Sequence, residues 1–160
     1  MKFRGLFLFS LISLQACGFQ LRGFDKLPDH IRQMTLVADS FTVSQQQRLT
    51  EQLQRAGAIL HRDGGDGVVK LQVSIQALPD QRLVDSVGSG QNIMKLSKQL
   101  NYSLVDASGD PLASDKTLSA KLELELDDDN LLGNEKEKWI TRENLDDLLF
   151  NRLLRQLRQF

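Results

Sequence analysis

Val69-Lys70-Leu71-Gln72-Val73-Ser74-Ile75-Gln76-Ala77 is the stretch from which the fold can be read. Apolar and polar residues alternate without a break, the mark of a strand with one face buried and one face wet. Pro79 follows closely and marks a bulge or an edge feature, because proline cannot donate to a strand ladder. Gly88-Ser89-Gly90-Gln91 reads as a hairpin tip. Beyond it, Met94, Leu96, Leu100, Tyr102 and Leu104 line one face of a return strand. Ala107-Ser108-Gly109-Asp110-Pro111 is the next turn, and Leu118, Ala120, Leu122, Leu124 and Leu126 alternate with Ser119, Lys121, Glu123 and Glu125. Three such strands predict an antiparallel meander with an inner and an outer side.

Upstream, Ile31 to Ala38 carries Ile31, Met34, Leu36 and Val37 and reads as a first strand. Ser44 with Gln47 matches a capping box, Leu49, Leu53 and Ala56 recur at helical spacing, and Gly57 stands where a left-handed residue ends a helix. A helix is expected over Gln45 to Ala56. Ile59 and Leu60 form a short apolar segment, and residues 62–67 a glycine-rich loop. Downstream, Asn134 is a candidate cap for a second helix, with Glu135 and Glu137 near its positive end. Leu145, Leu148, Leu149, Leu153, Leu157 and Phe160 make its apolar stripe, and Arg152, Arg155 and Arg158 suit its last turns. The order β-α-β-β-β-α predicts an α+β two-layer sandwich: two helices on one face of a four-stranded mixed sheet. The other face stays polar and is a candidate partner surface.

The N-terminus reads as an address. Lys2 and Arg4 precede an apolar run from Leu6 to Leu14. That run is too short for the roughly 20 apolar residues a bilayer requires, but it fits a secretory signal peptide. Leu14-Gln15-Ala16-Cys17 resembles a bacterial lipobox. Cleavage after Ala16 would remove residues 1–16 and leave one domain, 17–160. Cys17 would carry an S-linked diacylglycerol and an N-linked acyl chain. Each buried methylene contributes about 0.8 kcal/mol, so three chains anchor a protein nearly permanently. A plain signal peptide with an incidental cysteine is the alternative. Against it, Cys17 is the only cysteine, and an odd cysteine in a secreted chain calls for a reason. Gly18 follows, where retention in an inner membrane would favour aspartate; an outer-membrane destination is expected.

The 160 residues carry 20 basic and 21 acidic side chains, and Lys2 and Arg4 leave with the leader. The remaining domain is mildly acidic and gives no electrostatic footprint for nucleic acid. Enzymatic chemistry finds little support. There are two histidines, His30 and His61, no serine in a nucleophile elbow, and a cysteine committed to lipid. No catalytic residue, cofactor or metal site is expected. Asp63-Gly64-Gly65-Asp66-Gly67 lacks the alternating oxygen ligands and closing glutamate of a calcium loop and reads as a flexible turn. Asp127 to Asp129 reads as a solvated loop. Arg82, Lys95, Lys98, Lys136 and Lys138 are each ordinary surface cations taken alone. Together they are candidates to line a site for an anionic ligand such as a phosphorylated lipid.

Cys17-Gly18-Phe19-Gln20-Leu21-Arg22-Gly23 is similar to the mature start of the LptE family of lipopolysaccharide-assembly lipoproteins. The element order, the hairpin tip and the leucine-rich last helix resemble that family too. The resemblance implies a non-enzymatic outer-membrane lipoprotein on the periplasmic side. Its partners would be a large LptD-like β-barrel, whose lumen it plugs and whose assembly it assists, and lipopolysaccharide. On this reading Lys95, Lys136 and Lys138 are the candidate lipopolysaccharide contacts. The chain departs from the family at the tip, where Val87 to Gly90 carry no charge. A generic periplasm-facing lipoprotein that scaffolds another envelope complex is the alternative.

Overall fold

A computed structural model describes residues 26–62, 65, 67–84, 92–127 and 129–160. The signal segment, Cys17 and the motif after it, the hairpin tip, and Asp63, Gly64, Asp66 and Asp128 lie outside the described residues.

The alternating stretch forms β3, Val69–Ala77, with Val69, Leu71, Val73 and Ile75 buried. It pairs antiparallel with the first-predicted return strand, β5, Asn92–Val105, which pairs antiparallel with β6, Pro111–Leu126. The expected meander is therefore present. On β3's other side lies β1, Gln33–Asp39, and beyond it β2, Ile59–His61, both parallel to their neighbours. A short strand β4, Gln81–Val84, pairs with the start of β5.

The α+β sandwich of two helices on a mixed sheet holds, with six strands where four are expected. Two local causes account for the difference. Ile59–His61 is only three residues long, too short to show a periodicity, and it becomes a strand by docking beside β1. Pro79 divides one long strand into β3 and β4, which run end to end along the same edge of β5. Ala77 faces Lys98 and Gln81 faces Lys95, so three residues on one side span two on the other. That is a one-residue bulge, placed where proline has no N–H to offer.

Helix α1, Val43–Arg55, returns the chain from β1 to β2. Its cap is Thr42, not Ser44. The Thr42 side chain accepts from the Gln45 amide at 3.2 Å, and the Gln45 side chain accepts from the Thr42 amide at 2.9 Å. Both pairs fit the capping pattern; starting at Thr42 leaves the Gln45 side-chain nitrogen free to bond Asp146 at 2.9 Å. Gly57 ends the segment at φ +89°, as the sequence suggests.

Helix α2, Leu131–Leu157, spans about 40 Å at 1.5 Å per residue. Asn130 caps it by accepting from the Gly133 amide at 2.9 Å. A Cβ at Gly133 would collide with the Asn130 side chain, so a larger residue there must displace the cap. Asn134, the expected cap, clamps the end of β6 instead. Its side chain accepts from the Asp127 amide at 3.0 Å and donates to the Asp127 carbonyl at 2.7 Å. The buried stripe runs through Leu145, Leu149, Phe150, Leu153, Leu154 and Leu157, whereas Leu148 and Phe160 are partly exposed. These residues, with Leu49 and Leu53 of α1, close the core over β3 and β5. Phe41 stacks on Phe150 with ring centroids 5.9 Å apart.

Candidate functional site

Both helices pack on one side of the sheet, and among the described residues nothing covers the other side. Its residues follow from strand periodicity: Lys70, Gln72, Ser74 and Gln76 on β3; Lys95, Ser97, Gln99, Asn101 and Ser103 on β5; Thr117, Ser119, Lys121, Glu123 and Glu125 on β6. Cross-strand bonds tie several of them together. Gln72 donates to Asp39 at 3.0 Å, Thr117 to Asn101 at 2.7 Å, and Lys95 to Gln81 at 3.2 Å. Such a surface is hydrophilic yet ordered by its own side chains. It suits a wet, extended contact more than a dry hydrophobic one. A depression of about 420 Å³ is lined by Lys95, Ser97, Lys121 and Arg152 among others. The Arg152 guanidinium donates to the Ser119 carbonyl on the edge strand.

The predicted cations do not gather at one place. Lys95 lies on the open face. Lys136 and Lys138 lie on α2, in the layer across the sheet. Lys138 is held by Glu135 at 2.6 Å. That ammonium, by direct bonding and charge, pulls the Glu135 carboxyl below the usual carboxylate range. Arg82 pairs in register with Met94, away from Lys95.

Lys98 is not a surface cation. An even position on β5 turns it toward the helices, among Met94, Leu96 and Leu100, and its side chain is 9% exposed. Its ammonium meets the Asp146 carboxylate at 2.5 Å and the Arg142 carbonyl at 3.1 Å. Asp146 also accepts from Gln45, so one buried carboxylate joins the sheet, α1 and α2. Arg142 reaches Asp80 at 2.8 Å, tying α2 to the segment next to the Pro79 bulge. The sequence held two signals for this cluster. A lysine interrupts the apolar file of β5, and an aspartate sits beside Leu145 inside an apolar helix stripe.

Burial also raises the Tyr102 phenol above its ordinary range. Among the described residues, no group of three or more histidine, cysteine, aspartate or glutamate side chains is placed to hold a metal. No helix among them is long and apolar enough to cross a membrane.

The sequence matches no family model and no curated protein. Solved structures do match the fold. An uncharacterized lipoprotein B from Nitrosomonas europaea is similar at TM-score 0.68 and 19% identity, covering 88% of this chain and 90% of that one. A rare lipoprotein B from Shewanella oneidensis gives TM-score 0.66 at 12% identity, covering 79% and 94%. A minor lipoprotein from Acinetobacter baumannii gives 0.61 at 19%, covering 80% and 93%. At these identities the likeness is one of fold: the chain has the two-layer architecture of several bacterial lipoproteins, over nearly their whole length.

Proposed function

We propose that this chain is a non-enzymatic outer-membrane lipoprotein of the LptE type. It is anchored by acyl chains on Cys17, seated from the periplasmic side in the lumen of an LptD-like β-barrel. There it acts as a plug, assists assembly of the barrel, and supports insertion of lipopolysaccharide into the outer membrane. The single observation that carries the reading is the open sheet face, whose hydrophilic, internally bonded rows suit the wall of a water-lined barrel. The lipobox and the segment after it supply the anchor, and an anchor beside the barrel raises the effective concentration of the plug. The fold shared with bacterial lipoproteins supports the same reading. Lipopolysaccharide contact, on this account, divides between Lys95 on the open face and Lys136 on α2, with Lys138 partly engaged by Glu135.

A photo-crosslinking residue placed at Lys121, on the open face, tests the geometry in intact cells. The expected product is an adduct with a large β-barrel. The same residue at Gln46, exposed on the outer side of α1, is expected to give far less. Barrel adducts from Gln46 alone would reverse the assignment of faces. Adducts from both positions with other envelope proteins, and none with a barrel, would favour the scaffold reading.

A further inference from the structure

Helix α2 overhangs the rest of the helix layer. One line along it carries Leu132, Trp139, Asp146, Phe150 and Leu157, which are seven, seven, four and seven positions apart. Its C-terminal part is covered: Asp146 accepts from Gln45 of α1, and Phe150 stacks on Phe41. Helix α1 starts only at Val43, so the line runs on past that start and is bare. Leu132 is 88% exposed and Trp139 60%. Ile140, four residues from Lys136 and eight from Leu132, widens the same face, and it too is exposed. Val43 is exposed beside it: Thr42 and Ser44, its neighbours in the chain, line one depression with Trp139. This end is held in place. The Asn134 clamp on Asp127 and the Arg142–Asp80 pair fasten it to the sheet. An apolar surface of several large side chains, fixed and uncovered, marks a contact with a protein or a membrane.

We infer that this end of the helix layer lies in the headgroup boundary of a lipid bilayer while no barrel holds the chain, a reading that rests on the Cys17 anchor. Three observations select a bilayer. The first is the residue types: an indole among aliphatic side chains suits the boundary between hydrocarbon and water. The second is charge. Glu135 is held by Lys138 at 2.6 Å, and Glu143 lies 3.5 Å from Arg48. The charge left over on this face is Lys136, which has no carboxylate partner among the described residues, and lipid phosphates are its complement. The third is reach. The Leu27 amide donates to the Ala56 carbonyl, so the chain leaves toward Cys17 at the far end of α1. At 1.5 Å per residue that point is about 20 Å from Val43. Residues 17–26 extend at most about 30 Å. The anchor therefore lets the patch meet the bilayer that holds the acyl chains, while the open sheet face stays free for another partner.

The test uses the full acylated chain, purified without a barrel, in vesicles of phosphatidylcholine and phosphatidylglycerol in equal parts. Trp139 is the only tryptophan in the chain, so its fluorescence reports on this patch alone. Bromine on the phosphatidylcholine acyl chains should quench most of its emission. Leu132→Ser combined with Ile140→Ser should restore most of the lost signal. Leu148→Ser, on the opposite side of α2, should leave the quenching unchanged. A circular dichroism melt of each variant separates lost contact from lost folding. A chain that floats with the vesicles but whose tryptophan ignores the bromine overturns the inference and leaves the anchor in place. A chain that fails to float overturns both. Shielding of Trp139 from acrylamide that grows with protein concentration, without bromine quenching, puts a second copy on the patch and also overturns the inference. Barrel association is read separately.

Discussion

Asp146→Ala is the substitution that probes the architecture hardest. The carboxylate sits 2.5 Å from the Lys98 ammonium, with the two side chains 4% and 9% exposed. Removing it leaves a buried ammonium whose remaining partner is one carbonyl, that of Arg142. It also strips Gln45 of its acceptor. Breaking a buried pair from one side costs about 3–5 kcal/mol, because the surviving charge stays desolvated. That is a large fraction of the roughly 5–15 kcal/mol that holds a domain folded. For a chain of this size it lowers the melting midpoint by about 10 °C. The double variant Lys98→Met, Asp146→Leu should behave differently. It removes both charges, and both of Lys98's cross-strand neighbours, Ala77 and Ala120, are small. A methionine fits there, and stability should return to within about 1–2 kcal/mol of the parent. Urea denaturation of parent, Lys98→Met, Asp146→Leu and the double variant closes the cycle, with Asp146→Ala measured beside them. A cost for Asp146→Ala below about 1 kcal/mol, the range of exposed pairs, would refute the reasoning. So would a double variant as unstable as the two single variants combined.

Asn134→Ala should cost about 1–3 kcal/mol in the same assay, since it orphans the Asp127 amide and carbonyl that the buried amide side chain serves. Gly57→Ala should cost about 1–2 kcal/mol through backbone strain alone, because φ is +89° while the nearest atom to a new Cβ, Lys26 Cγ, stands 3.7 Å away. Glu135 should titrate below an ordinary glutamate, a shift that Lys138→Met removes in carboxyl-carbon NMR. A lowered folded-state value means that the contact's small stabilisation is present above the unfolded glutamate's range and fades as pH falls through the folded one.

Much of the fold was legible because its strands alternate strictly. The period-two pattern of residues 69–77 and 118–126 assigned the inner and outer faces, and those faces hold in three dimensions. The Pro79 irregularity was legible for the same reason: proline has a fixed meaning in a ladder. What escaped was set by tertiary partners. Residues 59–61 become a strand only by lying against β1. Thr42 and Ser44 are equally good caps locally, and Asp146, 101 positions away from Gln45, favours the first. Leu148 fits the helical stripe, yet it stays exposed while Phe150 and Leu154 are buried in the core. At the candidate site, the open polar face followed from alternation. The grouping of cations did not, because Lys95 and Lys98, three apart on one strand, must face opposite sides.

The central claim is that the chain is the plug of an outer-membrane barrel. Purifying the tagged full-length protein from gently solubilised outer membranes, with mass spectrometry of its companions, tests it most directly. The account predicts a near-stoichiometric large β-barrel and acylated Cys17. A lipidated chain recovered with no barrel would contradict it, and would leave a lipoprotein that scaffolds some other assembly of the envelope.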